Sequence, residues 1–226
     1  MSEAAVVKPL HDPGRRRDRE RTREDILEVA TSEFADRGYS GARVDEIGAR
    51  TRTTKRMIYY YFGSKEGLWI AVLERAYNLV RVAEQELHIE DLEPREAIRR
   101  LAELTFDHHE SHPDFIRIVS DENMYRAEHM RKAGGLASLG VPAVDVISQI
   151  LERGTRSGVF RRRVDAVDVH MMISAFCFFR VSNRNTFGVL FDRDLLDSTL
   201  RGHYRTMLGD LLIDYLCAKS EPLNLY

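Results

Sequence analysis

The chain has 226 residues, of which 43% are hydrophobic and 31% charged, with a formal net charge of −2. That is enough chain for a sizeable core in one large or two small domains, and the mix is that of an ordinary globular protein rather than a disordered or fibrous one. The longest apolar run, Val169 to Val181, is too short for a membrane span and contains Arg180, the N-terminus has no apolar signal core, which points to the cytoplasm, and Cys177 and Cys217 sit in apolar helical patterns that suggest buried thiols and no disulfide framework.

The charge is unevenly distributed. Residues 1–65 carry 14 Lys/Arg against 11 Asp/Glu, and residues 66–226 carry 20 against 25. A basic head on an acidic body turns the head toward a polyanion. Residues 1–20 read as a disordered basic arm, with Pro9, Pro13 and Gly14 ahead of Arg15, Arg16, Arg17 and Arg19 and few residues able to pack. Such an arm either reaches DNA phosphates and the minor groove or simply solubilises, with Asp18 and Glu20 offsetting part of its charge.

A first helix is expected from about Thr22 to Arg37. Thr22 and Asp25 resemble a capping box, Ile26, Leu27, Ala30 and Phe34 form an apolar stripe, and Gly38 is the stop. A second, short helix covers about Val44 to Arg50, and a third about Thr54 to Tyr61. Ile58 and Phe62 are four apart and point inward, which leaves Lys55, Arg56, Tyr59 and Tyr60 outward. Two short helices joined by a tight turn, with cations and three tyrosines on the second, have the composition of a helix-turn-helix that enters the DNA major groove.

Ser64 is a good cap for a long helix from Lys65 to about Leu87. Further helices are expected from Pro94 to Ser111, ended by His112-Pro113, from Asp114 to Tyr125, from Pro142 to Thr155, from Ala166 to Phe187 behind Asp165, and from Asp194 to Ala218. Residues 126–140, with Gly134, Gly135 and Gly140, are poorly specified. No strand pattern or internal repeat stands out. The fold class is all-α, with an N-terminal helix-turn-helix DNA-binding domain at 21–66 and a helical ligand-binding and dimerisation domain at 67–226.

The N-terminal block resembles the TetR family of transcriptional regulators. The matching residues are Phe34-Ala35-Asp36-Arg37-Gly38-Tyr39, Gly41, Val44-Asp45-Glu46-Ile47 and, most specifically, Ile58-Tyr59-Tyr60-Tyr61-Phe62-Gly63-Ser64-Lys65-Glu66-Gly67-Leu68. The resemblance covers residues 22–72, and the remainder agrees in length and helical order. Three positions depart from the family pattern. The turn reads Arg52-Thr53-Thr54 where a Gly, an apolar residue and Ser are usual, Gly48 replaces Ala, and Arg43 replaces Thr. The resemblance implies that Lys55 and Arg56 approach base edges or phosphates, that Tyr59, Tyr60 and Tyr61 meet phosphates or thymine methyls, that Lys65 clamps a phosphate, and that Arg43 and Thr54 seat the helices on the backbone. Packing is the alternative for Tyr61.

The segment 166–187 is apolar nearly all round, so it must be buried on more than one side, as it would be between a pocket and a partner subunit. The resemblance implies that it pairs with residues 194–218 across a two-fold axis, giving a homodimer that meets a palindromic operator in double-stranded DNA. A core position in a monomer is the alternative. Mixed aromatic and polar residues on the body helices suggest a small-molecule effector pocket at Phe106, His109, Phe115, Val119, Glu122, Met172, Phe176 and Phe179, with ordinary core packing as the bland alternative. Arg180 and Asn183 are odd in so apolar a helix and suit a hydrogen bond across the dimer or an acidic ligand. His108 and His112 have the i, i+4 spacing of two metal ligands, but no Cys partner is near and Pro113 disrupts the helix end, so no metal is assigned. No nucleophile elbow or Gly-rich phosphate loop occurs, so neither an enzyme nor a cofactor is expected. The functional expectation is a ligand-responsive, sequence-specific regulator, a repressor released by its effector or an activator. An enzyme with an incidental basic head and an adaptor with a degenerate helix-turn-helix are the rivals.

Overall fold

The computed structural model describes residues 13–135 and 140–218, and every regular element among them is helical. Residues 1–12 of the expected disordered arm lie outside the described residues, and residues 13–20 are not disordered but helical, forming the start of the first helix. The chain divides into two units, Met1–Val72 and Leu73–Tyr226.

The first unit contains α1 (Pro13–Gly41), α2 (Val44–Arg50), α3 (Lys55–Phe62) and the beginning of α4 (Lys65–Gln85). Helix α1 starts well before Thr22, and the capping-box expectation fails. The Thr22 hydroxyl donates to the Asp18 carbonyl at 2.8 Å within a continuous helix, so the residue bonds backward along α1 instead of capping it. Gly38 does stop the regular helix, with φ 65° and ψ 172°. The apolar stripe of α1 closes over Ile47, Ile58 and Leu68, all fully buried. At its centre stands Trp69, packed edge-on against Phe34 at 5.0 Å and tilted against Tyr39 at 5.7 Å.

The second unit holds the rest of α4, a single 3-10 turn (Ile89–Asp91), α5 (Pro94–Ser111), α6 (Pro113–Met124), α7 (Glu128–Ala133), α8 (Val141–Arg156), α9 (Ala166–Ser182), α10 (Arg184–Phe191) and α11 (Ser198–Cys217). Helix α5 is central. Its face of Ala97, Ile98, Leu101, Ala102 and Phe106 packs into one core with Ile147 and Ile150 of α8, Val169 and Ile173 of α9, and Leu208 and Leu212 of α11. The caps are explicit. Pro94 and Pro113 occupy first turns, and Asp165 and Asp197 accept from the amides of Val167 and Thr199 at 2.7 and 2.8 Å.

Two segments differ from expectation. The helix expected from Ala166 to Phe187 is broken at Asn183, whose φ of −101° and ψ of 6° leave the helical region, and α10 folds back so that Phe187 meets Phe179 at 6.0 Å. Within 126–140 a short helix forms because Glu122 reaches it. Its carboxylate accepts from the Met130 amide at 3.0 Å and contacts His129 Nδ1 at 2.8 Å, while Arg126 and Ala127 turn the chain at φ 56°.

A row of apolar side chains stays exposed on the second unit. Val167, Met171 and Phe179 lie four or eight apart on α9, Val189, Leu190 and Phe191 end α10, and Leu211 and Tyr215 are four apart on α11. The opposite face of α9, with Val169, Ile173, Cys177 and Arg180, is buried.

Candidate functional site

Helix α3 presents a polar face on a fixed base. Thr54, in an extended conformation, caps it by accepting from the Met57 amide at 3.3 Å. Ile58 is fully buried, which orients the remainder: Lys55, Arg56, Tyr59 and Tyr60 are exposed, Tyr60 by 65%. Tyr61 is half-buried and meets Tyr60 edge-on at 5.5 Å. Phe62 is half-buried under the Arg23 guanidinium at 5.2 Å. Lys55 reaches Asp45 of α2 at 3.1 Å, an exposed pair weak enough for a phosphate to displace. A Cβ at Gly67 would stand 2.0 Å from the Phe62 carbonyl oxygen, so the join between α3 and α4 is tight enough to demand glycine there.

Of the other two cations of the expected set, Lys65 is engaged through its side chain and Arg43 through its backbone N–H. Lys65 Nζ donates to the Ser40 carbonyl at 3.3 Å and lies 5.1 Å from the centre of the Tyr39 ring. Partial burial lowers its pKa, an effect opposed by the Glu33 charge. Arg43 is the cap residue of α2 but offers no capping side chain. The cap comes from Glu33 of α1 instead. Its carboxylate, only 5% exposed, accepts from the Arg43 backbone N–H at 3.3 Å and pairs with Arg37 at 3.3 Å and Arg50 at 3.5 Å. Glu33 was not singled out from the sequence, although a signal existed: it lies seven residues after Ile26 and three after Ala30, on the apolar side of the helix.

In the second unit a cleft of about 570 Å³ opens between the end of α4, one face of α5 and Arg205 of α11. None of the sequence-derived pocket residues lines it. Phe106 is fully buried, with the Arg180 guanidinium 3.8 Å from its ring centre. Arg180 itself is 3% exposed and bonds within the chain, to Glu110 at 3.1 Å and the Leu195 carbonyl at 3.0 Å. His109 and Phe115 are in edge contact at 5.4 Å. Val119, Met172 and Phe176 are half-buried, Glu122 caps α7, and Phe179 is exposed. His108 and His112 stack with their rings 17° from parallel at 4.2 Å, and His112 Nδ1 lies 2.9 Å from the His108 carbonyl. Burial pushes the pKa of His108 down to about 3 and that of His109 down to about 4, so both are neutral near pH 7.

Comparison with known proteins decides what this arrangement belongs to. Residues 26–72 match the bacterial regulatory proteins of the tetR family, and residues 94–212 match the tetracyclin repressor-like C-terminal domain. The chain belongs to the TetR family. It is 36% identical over 194 residues to the HTH-type transcriptional repressor NicS of Pseudomonas putida, covering 86% of this chain and 92% of that one. It is 32% identical over 155 residues to the HTH-type transcriptional activator FasR of Mycolicibacterium smegmatis, covering 68% and 69%. Among solved structures, a putative transcriptional regulator from Streptomyces coelicolor, SCO4942, superposes with a TM-score of 0.62 at 26% identity, covering 84% of this chain and 97% of that one. The protein is therefore a helix-turn-helix transcriptional regulator, and no described helix is long and apolar enough to cross a membrane.

The departures from the TetR pattern now have a local structural setting. Arg52, where the family usually has glycine, has φ 54°. The Thr53 amide returns to the Gly48 carbonyl at 3.2 Å, the closure of a Schellman ending on α2 with Arg52 in its left-handed position. Gly48 is buried, yet a Cβ there would meet nothing closer than 3.5 Å, so the alanine usual in TetR proteins fits.

Proposed function

We propose that this TetR-family regulator is a cytoplasmic homodimer that represses transcription from a palindromic operator and is released by a small molecule bound in its second unit. The carrying observation is the exposed face of α3, where Lys55, Arg56, Tyr59 and Tyr60 project from a helix held by Thr54 and Ile58. Cations that pair with guanine or phosphate and hydroxyls that suit phosphate oxygens are the groups a major-groove helix needs. Residues 21–66 act as the DNA-binding domain, helped by the arginines that precede it, and residues 67–226 as the domain for effector and dimer. Arg43, Tyr61 and Lys65 take supporting places on the phosphates, and Thr54 positions the helix.

The exposed rows on α9 and α11 support the dimer, because apolar side chains at four-residue spacing on two adjacent helices suit an isologous contact. A two-fold dimer reads a two-fold operator. The sign of control follows NicS, a named repressor covered over 92% of its length, against 69% for the activator FasR. No reaction is assigned.

Selection of the purified full-length protein against fragmented DNA of its own genome, at near-physiological salt, tests this. One enriched palindrome is expected. A folded dimer that enriches no sequence, with and without extraction of bound small molecules, would refute the operator assignment.

A further inference from the structure

The cleft of the second unit has a chemical character that narrows what it can hold. Its apolar wall is made by Leu87, Leu92 and Leu104, and its volume of about 570 Å³ lies in the range of small-molecule sites. Its two cations are already spent. Arg205 pairs with Glu103 at 3.1 Å and with Asp107 at 3.3 Å, and Arg100 with Glu96 at 3.4 Å and Glu103 at 3.6 Å. Asp107 is held by Arg201 at 2.5 Å as well, so every guanidinium at the cleft is engaged and an organic anion would have to break existing pairs.

The unsatisfied group is His108. Its residue is 8% exposed, it lines the cleft, and neither ring nitrogen has a hydrogen-bond partner. A buried polar group without a partner is costly, and a ligand that satisfies it recovers that cost. Burial keeps the imidazole neutral, so it offers one N–H donor and one bare nitrogen acceptor. The matching ligand group is uncharged and able to accept from or donate to whichever ring nitrogen it reaches, as a carboxamide, lactam or hydroxyl is.

We infer that this cleft binds an uncharged, partly apolar small molecule whose amide-like or hydroxyl group hydrogen-bonds His108. The inference rests on the effector-regulated reading above and specifies its site and ligand class.

Three probes that share one ring and differ in charge separate the alternatives: benzamide, benzoate and benzylamine. Each is titrated into the full-length protein, with binding followed by calorimetry and the His108 ring nitrogens by NMR. Benzamide should bind at millimolar concentration and shift the His108 nitrogens, with both charged probes at least about ten-fold weaker. His108→Leu should abolish this preference and, because it removes a buried polar group without a partner, should not lower the melting temperature. The nitrogen shifts in the unmodified protein need no variant. Preferential binding of benzoate or benzylamine, no binding of benzamide, or binding that leaves His108 unshifted would each overturn the inference. DNA affinity measured with benzamide present is the separate test of the regulatory reading: a probe that shifts His108 without changing DNA affinity supports the site and overturns its effector role.

Discussion

Replacing Arg52 by glycine should stabilise the first unit. Arg52 stands at φ 54°, in the left-handed region, where it completes the ending of α2 through the Thr53–Gly48 bond. An L-residue with a Cβ pays about 1–2 kcal/mol there, and glycine does not. Glycine gives back roughly 0.5–1 kcal/mol because its unfolded chain has more freedom to lose. The net gain is about 0.5–1 kcal/mol. The readout is built in: Trp69, the one tryptophan, is fully buried in this unit, so its fluorescence reports unfolding of the unit in urea. With a slope near 1 kcal/mol per M for so small a unit, the midpoint should rise by about 0.5–1 M. Arg52→Ala is the control, since it removes the same charge and keeps the Cβ. If removal of charge were the cause, Ala would stabilise as much as Gly. An unchanged or lowered midpoint for Arg52→Gly, or equal gains for both variants, would refute the conformational argument.

Gly48→Ala should raise the same midpoint, through a gain of about 0.5–1 kcal/mol in stability, because the Cβ fits and the helix gains propensity; a loss would show that α2 and the turn after it are packed more closely than 3.5 Å allows. Glu33→Gln should cost about 1–2 kcal/mol through the weakened cap and ion pairs of α2 and should lower affinity for every DNA sequence alike; wild-type stability would remove Glu33 from that role. Met171→Glu puts a charge in the exposed row of α9 and should shift the protein toward monomer in light scattering at micromolar concentration; an intact dimer would place the interface elsewhere. His108 and His109 are held below the ordinary value of 6.5, so the unfolded chain binds protons first as pH falls. Stability is full above about pH 6.5 and drains as pH drops toward 4 and 3, with roughly 2 kcal/mol lost per histidine by pH 5. His109→Leu should flatten the decline of calorimetric stability between pH 7.5 and 5, and an unchanged slope would contradict the burial argument.

What was legible in the sequence was local. Thr54 before Lys55, Ser64 before Lys65 and the prolines at 94 and 113 mark helix starts through their own backbone chemistry, and the structure places helices there. The outward face of α3 followed from the four-residue step between Ile58 and Phe62, although Phe62 is only half-buried. What escaped depends on partners far along the chain. Helix α7 exists among glycines because Glu122 reaches its start, and Glu122 resembled a pocket residue only while His129 and Met130 were unplaced. Arg180 looked available for a partner or ligand because Glu110 and the Leu195 carbonyl are distant in sequence. The break at Asn183 lies in an apolar run whose periodicity continues past it. The cleft is built from α4, α5 and α11 together, so no single stretch announces it.

The carboxylate of Glu33 has a consequence for how this regulator can change over time. A helix that is capped by its own first residue ties that position to a few small polar side chains. Here the cap of α2 is supplied from α1, and position 43 is released from that duty. Arginine can occupy it at no loss to the helix, and so could lysine, glutamine or a neutral residue. Mutation at position 43 can then retune attraction to the phosphate backbone step by step without passing through unfolded intermediates. A randomised library at position 43 should yield mostly folded proteins that differ in DNA affinity, and the same library with Glu33 replaced should not.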